Sequence, residues 1–399
     1  MEGFFYFYHM SEANFILFDG ADRVNFLPLT FTRPMANLRI GILTIREKWE
    51  VHLRSATSTL TEQYLQSKHP LTLTDNNIWI NSQCLPNSKL VTTILSLKTN
   101  QTLLWNGVVV AYHSSDQTIP NEFIEFNSEV VFLNQIYDLF RLNEEALQSD
   151  FDLITAGRKS EELPKHVRTT RPENIFVEPG AQIGHAVLNA STGPIYIGKN
   201  AEVMDGCLVR GGLSLSEGSV LKMGAKIYGP TTIGPYCKVG GEVNNAVFLG
   251  YSNKGHDGFL GNSVIGEWCN LGADTNTSNL KNNYEEVKLW NYKSLNFAKT
   301  GLQFCGLILG DHSKCGINTM FNTGTVVGVS ANIFGSGFPR NFVPSFSWGG
   351  NSGFQVYHFA KAMVVARAVM ARRGLELSEI DENILQNVFD QTANFRSSF

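Results

Sequence analysis

Residues 197–239 read IGKNAEVMDGCLVRGGLSLSEGSVLKMGAKIYGPTTIGPYCKV. Ile197, Val203, Val209, Leu215, Leu221, Ile227, Ile233 and Val239 are aliphatic at a strict spacing of six. Gly198, Gly212, Gly218, Gly224, Gly229 and Gly234 fall between them. The period returns at Phe259, Ile265 and Leu271, and again at Leu309, Cys315, Phe321, Val327 and Ile333. A period of six fits neither a helix nor an isolated alternating strand. It fits a chain that turns a corner every six residues, with one aliphatic residue pointing inward per flat side. That pattern predicts a parallel β-helix built of hexapeptide repeats. Three sides make a coil of about 18 residues, and coils stack ~4.8 Å apart, the usual strand spacing.

Around the solenoid the chain divides into three parts: an α/β domain over 1–165, the β-helix over 175–345 and a helical extension over 346–399. In the first part, Phe15–Phe18, Ile78–Ile80 and Val108–Ala111 are apolar runs of the kind buried strands carry. Helical spacing falls at Ile40–Val51 and Ile136–Leu147, so an open, mostly parallel sheet is expected. Residues 158–174 read as a linker, and the polar stretch between Thr275 and Thr300 as an insertion in the solenoid. Two helices are expected at the end, Phe354–Arg373 and Ser378–Thr392, where they would close the open solenoid.

A net charge of -4 with 17% charged residues gives no general attraction to nucleic acid or anionic membrane. No apolar run reaches membrane-spanning length. The start, MEGFFYFYHM, lacks a basic segment and a cleavage site, so it does not read as a signal peptide, and Met10 is a plausible second start. The six cysteines form no CxxC pair, which argues against a zinc site and for a reducing compartment, the cytoplasm.

The stretch KGHDGFLGNSVIGEWCNLGADTNTSNL, Lys254–Leu280, carries a more specific signal. A histidine in a glycine-rich segment is often a turn residue, and asparagine suits solenoid corners. As a group, however, these residues resemble the acetyltransferase half of the bifunctional UDP-N-acetylglucosamine diphosphorylase and glucosamine-1-phosphate N-acetyltransferase family. The resemblance implies a left-handed coil, three chains packed side by side as a homotrimer, and acetyl-coenzyme A as co-substrate. It makes His256 the base that deprotonates the attacking amine, a task suited to a neutral imidazole, and Glu242 the residue that orients it. It places Lys226, Asn244, Lys254, Phe259, Asn270 and Asn279 at the sugar phosphate. Lys226, Lys222 or Lys254 would supply the charge that Asn244 lacks. Ala273, Ile317, Gly335 and Arg340 would face acetyl-coenzyme A.

The segments ILFDGADR, from Ile16, and LPLTFTRP, Leu27–Pro34, with GILTIREKW after them, resemble the start of a sugar nucleotidyltransferase. Asp19, Gly20, Arg23 and Arg33 would then bind the triphosphate. Gln83 stands where that family has the aspartate that holds Mg²⁺, so the metal ligands stay unassigned. The resemblance implies transfer of an acetyl group to an amino-sugar 1-phosphate and of a nucleotidyl group from a nucleoside triphosphate to a sugar 1-phosphate. Alternatives are one active half beside a silent one, or a solenoid that serves only as an assembly module.

Overall fold

The computed structural model describes residues 13–397. The aromatic start and Met10 lie outside them. The chain forms two compact units. One comprises the described part of Met1–Gly20 with Ile45–Phe132, the other Ala21–Thr44 with Leu133–Phe399. The division therefore does not fall near residue 165. Residues 21–44 and 133–165 belong to the solenoid unit.

The first unit is a six-stranded sheet with two helices, α1 (Ile45–Leu53) and α2 (Ser88–Leu95). Its strands are β1 (Asn14–Phe18), β2 (Thr57–Leu60), β3 (Asn77–Asn81), β4 (Gln101–Trp105), β5 (Val108–His113) and β6 (Glu122–Glu125), in the order β2-β1-β3-β5-β4-β6. The sheet is mixed: β1 pairs in parallel with β2 and β3, and β4 with β6, while β5 is antiparallel to both neighbours. Its reversal comes from Asn106-Gly107, both at positive φ (50° and 77°), the two-residue turn that closes a tight hairpin. The Trp79 ring stacks on Tyr112 at 5.5 Å, and its indole N–H donates to the Ser114 carbonyl.

The second unit is a three-sided parallel β-solenoid. All eight periodic residues from Ile197 to Val239 are buried. Strand registers step by 18 residues per coil here, as in Leu208↔Lys226 and Val220↔Lys238. The following coil is shorter, so its inward residues, Val243, Phe248 and Lys254, break the period of six. One consequence corrects the sequence reading. Phe259 pairs with Glu242 on the outside, and Leu260, fully buried, points inward in its place. The residues read as a linker already belong to the solenoid, since Arg168–Thr170 pairs with Val187–Asn189.

Gly41 explains why the first helix starts later than its apolar spacing suggests. Its φ is +71°, and an added Cβ would meet the Asp150 carboxylate at 2.6 Å and the Ala146 backbone at 2.7 Å. Asp150 accepts from the N–H groups of Ile42 and Leu43. The helix expected over Ile136–Leu147 is two, α3 (Asp138–Arg141) and α4 (Asn143–Thr155). Asn143 bonds both Gly41 N–H and the Pro230 carbonyl, which ties α4 and residues 21–44 to the solenoid.

At the far end, Ser347–Gly350 and Gly353–Val356 form an antiparallel hairpin over the last coil. It takes the first residues expected to be helical and covers the strand edge. Helices α5 (Phe359–Ala371) and α6 (Glu379–Gln391) follow, the latter capped by the Ser378 hydroxyl, which accepts from Asp381 N–H. No helix among the described residues is long and apolar enough to cross a membrane. All six cysteines are free and buried.

Candidate acyl-transfer site on the solenoid

His256 sits at the corner between strands Asn253–Lys254 and Phe259–Glu267. The register Asn253↔Asn270↔Lys314↔Asn332 runs through four coils. Three residues further along each coil stand His256, Ala273, Ile317 and Gly335, so all four take the same corner position. The column is continuous because small residues let the coils close up: a Cβ on Gly272 would lie 2.5 Å from the Gly316 carbonyl. His256, Asn270, Ala273 and Ile317 line one cleft of about 760 Å³, closed on its other side by α5. Gly335 and Arg340 lie outside its lining, and the Arg340 guanidinium stands 5.8 Å over the Phe354 ring.

The His256 imidazole is exposed and makes no side-chain hydrogen bond among the described residues. Its backbone is held instead. Lys254 is 1% exposed and occupies the inward column between Val239 and Leu271. Its ammonium donates to the carbonyls of Gly240 and His256, each at 2.9 Å. Burial pulls its pKa down to about 8, against the pull of Asp257 and Asp274. Lys254 is therefore not available to a sugar phosphate; it pins the corner that carries His256.

The lowered pKa of Lys254 makes stability depend on pH. Between about 8 and the ordinary 10.5 the unfolded chain binds the proton and the folded chain does not. Stability contributed by this group is thus present above the unfolded value and lost as pH falls through about 8. Relative to Lys254→Met, the wild-type chain should gain urea resistance as pH is raised across this window.

Gly241 supports the same corner from the preceding coil. Its φ is +72°, and a Cβ there would lie 2.8–2.9 Å from the His256 carbonyl, Asp257 Cα and the Gly258 carbonyl. Gly241→Ala should cost more than about 1 kcal/mol and displace His256. A thermal melt and an activity assay on the same preparation check both effects.

Glu242, Lys226 and Phe259 form a separate outward ladder on the adjoining face. The Glu242 carboxylate accepts from the Tyr228 hydroxyl at 2.6 Å and makes no hydrogen bond to His256. Burial first, then Glu242, push the Tyr228 phenol up to about 12. Asn244 stands beside Tyr228 in the register. Asn279 donates to Asn262 at 2.8 Å and does not line the His256 cleft.

The sequence reading missed four cations of the cleft. Lys238 and Lys314 share the outward column of Asn253 and Asn270. Counting three residues back from the His256 corner in each coil would have found them. Arg372 and Arg373 come from the end of α5, and no pattern in the sequence places that helix here.

The nucleotide-binding expectations fare differently. Asp19 accepts from Thr61 at 2.6 Å, and a Cβ on Gly20 would lie 2.9 Å from the Gln83 side-chain oxygen. Gly20 thus does face the position of the expected metal ligand. That position offers amides from Gln83 and Asn81, and no group of three His, Cys, Asp or Glu among the described residues could hold a metal. The residues do not fit Mg²⁺, a hard cation that needs carboxylate oxygen.

Arg23 and Arg33 lie in the solenoid unit and are engaged there. Arg23 donates to the Thr30 carbonyl. Arg33, buried, makes a two-pronged bond to Asp311 at 3.1 and 2.5 Å and lies 3.1 Å from Glu267. Burial opposes its charge, but Asp311 and Glu267 outweigh burial and raise its pKa. Arg33 therefore locks LPLTFTRP onto the solenoid rather than meeting a triphosphate.

Residues 15–159 match the family model for sugar nucleotidyl transferases. A bifunctional protein GlmU of Methanocaldococcus jannaschii is 36% identical over 87 residues, 22% of this chain and 21% of that protein. Another of the same name, from Synechococcus elongatus, is 24% identical over 233 residues, 52% of this chain and 44% of that protein. The chain thus spans less than half the length of either. The likeness to bifunctional enzymes of this kind, expected from the sequence, is found. Among solved structures, the polySia specific acetyltransferase NeuO aligns at 13% identity and a TM-score of 0.25, over 48% of this chain and 85% of that one.

Proposed function

We propose that this chain is a transferase of sugar-nucleotide biosynthesis whose solenoid acetylates the amine of an amino-sugar 1-phosphate with acetyl-coenzyme A. The observation that carries this reading is the cleft in which His256 stands with Asn270, Ala273 and Ile317. His256 removes a proton from the substrate amine as its nitrogen attacks the thioester carbonyl. A carbon–nitrogen bond forms, the carbon–sulfur bond breaks, and coenzyme A leaves as the thiolate, which takes up a proton. Asn270 presents an amide to the sugar, and the corner column of Ala273 and Ile317 leaves room along the groove for the donor. The reading includes a homotrimer, in which Asn279 of one chain could approach His256 of another, and a cytoplasmic location, where the six free thiols stay reduced.

A second activity, nucleotidyl transfer to the sugar 1-phosphate by the first unit, is favoured by the family match over 15–159. The amides at Gln83 and Asn81 oppose it, and no step is assigned to a metal there. The test of the main reading mixes the purified chain with acetyl-coenzyme A and glucosamine 1-phosphate and follows free thiol. Thiol release that requires the amino sugar supports it. Absence of release with this and other amino-sugar 1-phosphates sinks it. Pyrophosphate released from a nucleoside triphosphate and N-acetylglucosamine 1-phosphate would support the second activity.

A further inference from the structure

The solenoid unit holds another pocket, of about 100 Å³, that shares no lining residue with the His256 cleft. Three stretches far apart in sequence build it: 24–27, 135–137 and the hairpin of the insertion, in which Lys288–Asn291 pairs antiparallel with Asn296–Lys299. The tip of that hairpin is tied back by Lys293, whose ammonium donates to Asp22 at 2.8 Å.

Hydrogen bonding in this lining is unfinished. Tyr292 is 7% exposed, and its hydroxyl has no partner among the described residues. The indole N–H of Trp290 is likewise buried and unpartnered. The half-buried side chains of Gln135 and Tyr137 make no hydrogen bond among the described residues. Nearly all buried polar groups in folded proteins are paired, and an exception calls for a partner from outside the chain. Packing keeps these groups in place. The Tyr292 ring meets Phe31, Phe342 and Phe395 edge to face at 5.4, 5.6 and 5.4 Å, and Trp290 stacks on Phe342 at 4.2 Å.

Size, charge and hydrogen-bonding character select the partner. An enclosed cavity of about 150 Å³ holds benzene, so a pocket of about 100 Å³ admits one six-membered ring with an edge outside, and not two. Among the described residues no carboxylate lines the pocket, and the Lys299 ammonium already lies 3.4 Å from Glu286. An uncharged molecule therefore suits it. The free groups are an indole donor, hydroxyls and an amide, carried by separate stretches of chain. An apolar guest would leave them unpaired. A pyranose carries hydroxyls around its rim, each able to donate and accept, and C–H faces that pack on aromatic rings.

We infer that this pocket is a second sugar site, which takes the uncharged pyranose ring of a monosaccharide through Trp290, Tyr292, Gln135 and Tyr137. Its lining holds no histidine or carboxylate among the described residues, so it recognises the ring without transforming it. It stands apart from the acyl-transfer cleft and does not depend on that reading.

A titration of the full chain followed by ligand-observed NMR tests this, with glucose, mannose and N-acetylglucosamine as probes and uridine as a comparison. At least one monosaccharide should bind with a Kd of about millimolar, the usual strength for a ligand of this size. Tyr292→Phe and Gln135→Ala should each weaken it by about tenfold. In the absence of sugar, Tyr292→Phe should melt no lower than wild type, because it removes an unpaired buried hydroxyl and leaves the ring. Its thiol release should equal that of wild type, so the acyl-transfer reading stands or falls by its own assay. No saturable binding of any pyranose overturns the inference, as does binding that both substitutions leave unchanged. Uridine bound through these residues in preference to every pyranose also overturns it. A lower melting point for sugar-free Tyr292→Phe overturns it too, by giving the hydroxyl a structural role.

Discussion

His256→Ala should lower amine-dependent thiol release by about 10²–10⁴-fold, the usual worth of a positioned general base, or ~3–5 kcal/mol of transition-state stabilisation. The fold should survive the change. The imidazole is exposed and bonds no other side chain among the described residues, while the corner itself is held by Lys254 through backbone carbonyls. The effect should fall on kcat, because the base acts as the proton leaves, with little change in KM for the donor. Glu242→Gln should cost much less, since that carboxylate is committed to Tyr228 and not to the imidazole. If His256→Ala keeps most of its activity, the base is another group and the reading of this corner is wrong.

Asp311→Ala should destabilise the solenoid unit by ~3–5 kcal/mol, the cost of leaving a buried charge without its partner. Asp311 accepts from both terminal guanidinium nitrogens of Arg33, from the Thr32 hydroxyl at 2.6 Å and from Glu267 N–H at 2.8 Å. Among the described residues, Glu267 alone would remain to pair with the Arg33 charge. Urea denaturation measures the loss. Adding Arg33→Met to Asp311→Ala should recover part of it, because the unpaired charge is then gone and the two changes are coupled. A cost under about 1 kcal/mol would place Arg33 among weak surface pairs and reopen its availability to a phosphate.

The solenoid was legible because its signal is repetitive. One inward aliphatic residue per six recurs over coil after coil, and each repeat reinforces the same register. Legibility failed where the coil shortened. Val243, Phe248 and Lys254 face inward off the period, and Phe259, which keeps it, faces outward. The apolar run Val108–Ala111 reads as a strand and is one, and the Asn106-Gly107 hairpin signal before it is local and readable. The motif at His256 was readable as a unit, but Lys254 within it looked like a phosphate ligand, since no rule of composition puts a lysine in an aliphatic column.

The amino-acid sequence by itself determined the β-helix, its inward columns and the corner that bears His256, because these follow from residue spacing along one continuous segment. Only the tertiary structure decided what the charged side chains do. Arg33 meets Asp311, which lies 278 residues away, Lys254 meets carbonyls of two coils, and Arg373 reaches Asn253 from a helix 120 residues later. A charge is assigned by what desolvates and pairs it, and those partners are brought together by stacking of coils and docking of helices, not by spacing in the chain.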